Sequence, residues 1–169
     1  MLITIFILQI NEVNYKTSLS GKILTKCLIN NSKRLAIFWP FLFIISIITT
    51  LLFGEYKEQE IINKLKNLET TEELIRIIIS ALIFAPLLEE IFFRKIIYSV
   101  CKRYLGVLIG IICSSILFAT VHQNIYSFAI LFTLSIALCI IYERDGSIIS
   151  PIIFHFLFNL IMIILTFLS

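Results

Sequence analysis

The chain has 169 residues, a formal net charge of +3, 59% hydrophobic residues and only 15% charged ones. Soluble domains run nearer about 45–50% apolar and about 25% charged, so this balance excludes a disordered tail or a soluble nucleic-acid binder and points to lipid as the solvent. The scattered basic residues give no reason to expect a polyanion partner, and beside five or six spanning helices the length leaves no room for a large extramembrane domain.

The apolar run at residues 2–10 reaches only half a bilayer at about 1.5 Å per residue, and reads as an interfacial or partial helix rather than a secretory signal. Residues 11–34 carry Lys16, Lys22, Lys26, Lys33 and Arg34 against one acid, Glu12. The excess marks a cytoplasmic, lipid-facing segment. Residues 35–53 hold no charge and form the first clear transmembrane helix.

Within residues 54–71, Ile61, Ile62, Leu65 and Leu68 share one helical face opposite Lys64 and Lys66, as in a short helix lying on the membrane. Thr70 with Glu73 three residues on is a capping-box pattern that starts the second membrane helix. Apolar residues then continue to Val100, about 42 Å of helix, so a tilt or a kink is required and Pro86 is placed to supply it. Residues 105–121, 125–142 and 148–168 give three further spans. Asp145-Gly146 reads as a turn, and Ser150 before Pro151 as a cap for the last helix. The four cysteines, Cys27, Cys101, Cys113 and Cys139, lack any CxxC spacing and read as small apolar filler.

The expected fold is an all-α integral membrane protein: a bundle of about five transmembrane helices, a short N-terminal apolar segment and an interfacial amphipathic helix. It divides into an apolar and basic region at 1–34, the first membrane helix with its connector at 35–73, and a core at 74–169. The cationic residues favour a cytoplasmic N-terminus.

The second membrane helix carries Glu89, Glu90 and Arg94 among apolar neighbours. A charge at mid-bilayer costs on the order of 3 kcal/mol, so three together need a reason. Glu90 and Arg94 stand four apart with the acid first, the favourable order for a pair. Glu89 is then a second carboxylate in low dielectric and a candidate general base. A plainer reading places Arg94 at the interface, snorkelling to headgroups, with both acids merely pairing to it and Lys95.

The two histidines, His122 and His155, both fall in apolar helical runs. One such histidine alone is more often a packing residue. Polar groups in lipid turn inward and meet, however, and His155 shares a helical face with Asn159 as Phe118 does with His122. Gly106, Gly110 and Ser114 form a small-residue ridge that lets the second and third helices touch. Counted from a turn near Lys102, Glu89 lies about 20 Å deep and His122 nearly 30 Å, which tilt or the Pro86 kink would have to reconcile.

Three motifs therefore occur in order, each in a membrane helix: EExxxR (Glu89, Glu90, Arg94), FxxxH (Phe118, His122) and HxxxN (His155, Asn159). Together they resemble the type II CAAX prenyl protease and bacteriocin-processing family, the intramembrane CPBP or Abi peptidases, over about residues 74–168. Lys95 stands where that family usually has glycine. The resemblance implies that Glu89, helped by His122, activates water while His155 and Asn159 stabilise the oxyanion. Glu90 and Arg94 would hold the site together or contact substrate.

It further implies no metal or other cofactor, a peptide or protein substrate met at the lipid bilayer, and a multi-pass protein of a bacterial plasma membrane. Two readings compete with a metal-free peptidase. One is a zinc peptidase using Glu89, His122 and His155, although HExxH spacing is missing. The other is a non-enzymatic membrane protein, such as a bacteriocin immunity factor or complex subunit, whose polar cluster only fixes packing.

Overall fold

The computed structural model describes residues 21–53 and 70–168, and among these all regular structure is helical. The apolar segment at 2–10 and the amphipathic stretch at 54–69 lie outside the described residues. The first helix, α1, runs Gly21–Phe53, far longer than the expected span at 35–53. Hydropathy marks only the lipid-compatible part of a helix. No proline interrupts residues 21–34, and Asn31, a weak helix former, returns its amide to the Cys27 carbonyl one turn back at 3.0 Å.

The second membrane element is five pieces in a row: α2 (Thr71–Ile79), a π segment (Ser80–Phe84), α3 (Ala85–Glu90), a second π segment (Ile91–Tyr98) and α4 (Ser99–Leu105). The Thr70 hydroxyl accepts the Glu73 N–H at 3.3 Å, as the capping pattern predicts. At the first wide turn Pro86 leaves a carbonyl without its helical donor. Ala85 donates its N–H to the Ser80 carbonyl, five residues back. In that register residue 86 would serve Ala81, but proline has no N–H to give. Asn159 supplies the missing donor, its Nδ2 lying 2.9 Å from the Ala81 oxygen. Two more carbonyls of the second π segment receive hydroxyls, Phe93 from Ser114 at 3.1 Å and Arg94 from Ser99 at 3.0 Å. Lipid offers no water to satisfy such groups, so neighbouring side chains must.

Gly106, at φ +86, turns the chain from α4 into α5 (Val107–Val121). The small-residue ridge of α5 faces the second element: a Cβ on Gly110 would stand 2.9 Å from the Lys102 backbone nitrogen. α6 (Ile125–Asp145) is capped by Asn124, whose side-chain oxygen accepts from Tyr126 and Ser127. α7 (Ile149–Leu168) closes the chain. Ser150 does not cap it. The Ile149 N–H goes to the Ser147 hydroxyl at 3.3 Å, while Ser150 Oγ donates to Asp145 and accepts from Asn31.

Among the described residues three helices are long and apolar enough to cross a membrane, Leu24–Phe53, Ile125–Asp145 and Ile149–Leu168, and α5 is a shorter apolar helix. Their shared core joins Phe93, Phe118, Leu134, Leu138, Phe154 and Phe158, with Leu35 and Leu42 from α1. The molecule is a membrane protein, all-helical among its described residues. One end of the bundle carries two partly exposed ion pairs that join helices, Arg34 with Asp145 at 2.6 Å and Lys102 with Glu143 at 2.7 Å.

Candidate active site

Glu90 and Arg94 form the expected pair, Nε to Oε2 3.0 Å, and both side chains are wholly buried. Arg94 is therefore no snorkelling interfacial residue. Its Nη2 reaches α6, donating to the Ser135 hydroxyl at 3.1 Å and lying 3.4 Å from that residue's carbonyl. Its guanidinium carbon sits 4.9 Å above the Phe118 ring, a cation–π contact away from water. Ser135 went unnoticed in the sequence because it belongs to no motif. A polar residue inside an apolar span, expected to face the bundle interior, was the signal available.

The second Glu90 oxygen holds His155, Nδ1 to Oε1 2.8 Å. An ionised carboxylate only accepts, so Nδ1 carries the proton and the ring is fixed with Nε2 facing the other way. Nε2 lies 3.8 Å from Glu89 Oε2. That separation exceeds a direct hydrogen bond and suits two groups that share a third polar atom. Glu89 is 28% exposed where Glu90 is 0%. The neighbouring acids thus have different surroundings: one is locked between two cations or donors, the other is open.

His122 and His155 both pack on Phe118, at ring separations of 5.0 and 5.9 Å. His122 closes α5, and its Nδ1 lies 2.8 Å from the Phe118 carbonyl. A carbonyl only accepts, so Nδ1–H donates and Nε2 is left as an acceptor. The depth mismatch expected between Glu89 and His122 does not exist. The turn is at Gly106, and from there Glu89 is 17 residues back and His122 16 forward, about 26 and 24 Å along their helices. The Phe93–Phe118 contact, ring centroids 5.0 Å apart, shows that the two helices keep level.

Asn159 lies one turn beyond His155 on α7. One of its two amide hydrogens serves Ala81, leaving a second to give. Gln123, directly after His122, adopts φ +52, a left-handed conformation unusual for a side chain of its size. Among the described residues, no group of three His, Cys, Asp or Glu side chains is arranged to hold a metal ion.

Residues 71–161, more than half of the chain, match the Type II CAAX prenyl endopeptidase Rce1-like family. The chain belongs to this family. The Rce1-like match begins at α2 and ends within α7, so it takes in all seven motif residues named above and leaves α1 outside. A curated Bacillus subtilis (strain 168) protein named "Putative membrane peptidase YdiL" is 28% identical over 113 residues, 67% of this chain. The chain covers 46% of that protein, less than half its length. No solved structure matches the chain.

Proposed function

We propose that this Rce1-like protein is an intramembrane endopeptidase that hydrolyses a peptide bond with water activated by Glu89. The reading is carried by the contrast between its neighbouring glutamates. Glu90 is consumed by Arg94 and His155, whereas Glu89 is partly open and stands across from His155 Nε2. Family membership and the membrane-peptidase name of the Bacillus relative support the same activity.

In this mechanism Glu89 is ionised and His155 doubly protonated, so that with the Glu90–Arg94 pair the four groups sum to zero charge, which a low-dielectric site favours. Glu89 takes a proton from water as the water oxygen attacks the scissile carbonyl. The Nε2 lone pair of His122 accepts the water's other hydrogen and orients it. Negative charge developing on the carbonyl oxygen is met by His155 Nε2–H and the second amide hydrogen of Asn159. The tetrahedral intermediate collapses with cleavage of the C–N bond, and Glu89 returns its proton to the departing amine. Glu90 and Arg94 hold His155 and tie the second membrane element to α6. Substrates are peptides or proteins met at the membrane, with CAAX-like processing, bacteriocin maturation or self-immunity as the biological settings, and a bacterial plasma membrane as the location.

The test is cleavage of a panel of prenylated and unprenylated peptides by the purified chain in detergent, in water enriched in oxygen-18. Hydrolysis that labels the new carboxyl terminus and survives chelation is the expected result. Activity lost to a chelator and restored by zinc would replace this mechanism with a metal-dependent one. Wild-type protein that cleaves nothing would favour a non-enzymatic role.

A further inference from the structure

We propose that α1, which lies outside the family-matched residues, is the positioning element of the site: Phe38, Trp39 and the Arg34–Asp145 latch hold α7 in the register that sets His155 on Glu90 and Asn159 on Ala81. The catalytic consequence rests on the peptidase reading above. The geometry does not.

α1 meets α7 at residues immediately before the two functional ones. Phe38 packs edge-on against Phe154 at 5.9 Å between ring centroids, and Trp39 lies 6.1 Å from Phe158. Phe154 precedes His155 and Phe158 precedes Asn159. Successive residues on an α-helix are turned by about 100°, so α7 is gripped on adjacent faces, by α1 on one and by α3 with the first π segment on the next. If α7 rotated by a fraction of that angle, the 2.8 Å His155–Glu90 and 2.9 Å Asn159–Ala81 contacts would part together.

Sliding along the helix axis is blocked at the N-terminal end. Asn31, fully buried, donates to the Ser150 hydroxyl at 3.1 Å. Ser150 donates to Asp145, whose two oxygens take Arg34 Nη1 and Nη2 at 2.6 and 2.8 Å. The bidentate fork fixes direction as well as distance. Ser150 is five residues from His155, about 7.5 Å of helix, too short for the displacement of one to leave the other in place. Neither the aromatic pairs nor the latch touches a reacting group. They act through α7.

The chain has two histidines, so its imidazole nitrogens, 15N-labelled and in micelles, give two assignable sets of resonances. Trp39→Ala and Arg34→Ala are expected to move the His155 resonances and leave those of His122 in place. On any peptide the wild type cleaves, kcat falls about tenfold with KM within about twofold, because misplacement by a fraction of an ångström weakens the transition state more than substrate binding. Trp39→Phe and Arg34→Lys, which keep a ring and a cation, lie between the Ala variants and wild type. If Trp39→Ala does not fold, Arg34→Ala with Arg34→Lys decides. Folded variants whose His155 resonances stay at wild-type positions overturn the proposal. A wild type that cleaves no peptide, with His155 still responding to α1, rejects the peptidase reading and leaves the positioning role standing.

Discussion

Two regions of this bundle are built from the same chemistry in opposite solvents. At one end, Lys102–Glu143 and Arg34–Asp145 join helices with side chains a quarter to two-fifths exposed. Midway along the bundle, Glu90 and Arg94 pair with no exposure at all, and Glu90 extends the pair to His155. Solvated pairs of the first kind contribute up to about 1 kcal/mol and are weakened by salt. A pair of the second kind is costly to bury, and an apolar replacement is often as stable or more so. Its presence calls for a reason beyond stability, and the reason offered here is that it fixes the imidazole facing Glu89.

That contrast can be broken at several points. Arg94→Met removes one buried charge and strands the other, and is expected to cost about 3–5 kcal/mol in denaturant unfolding in micelles. Adding Glu90→Gln to it should return much of that loss while leaving the protein inactive. If the double variant is as unstable as the single one, the pair is structural after all. Gly110→Ala forces a Cβ against the Lys102 backbone and should cost about 1–3 kcal/mol, because the obstructing atom belongs to a helix rather than a flexible side chain. Arg34→Ala should cost about 1 kcal/mol, with a deficit that shrinks as salt is raised. Lys102→Ala, which breaks one exposed pair, should cost about 0.5 kcal/mol or less. An end pair that proved as costly as Arg94 would erase the distinction between the two regions.

The sequence carried most of the architecture because lipid imposes a simple rule: spans must be apolar, and polar groups inside them must find one another. The runs at 125–142 and 148–168 became α6 and α7 within three residues at either end, and Glu90 and Arg94 paired as their spacing predicts. Three features were hidden for identifiable reasons. The start of α1 at Gly21 was obscured because helix propensity and hydropathy are separate signals, and polar residues 21–34 satisfy only the first. The π segments depend on which carbonyl finds a donor across space, as Ala81 does in Asn159, and no local pattern encodes a partner 78 residues away. The hold of Glu90 on His155 was equally remote. Both acids were in view, but which one the imidazole would take depends on how the second element is wound between Pro86 and Tyr98.

Glu89→Gln separates the roles proposed for the adjacent carboxylates. The substitution preserves shape and changes one partly exposed atom, so the variant should unfold within about 0.5 kcal/mol of wild type. Its peptide hydrolysis, compared with wild type at equal folded concentration, should fall by about a thousandfold or more. Hydrolysis retained at wild-type rate in Glu89→Gln would contradict the account, since no other carboxylate in the cluster is free to take the proton.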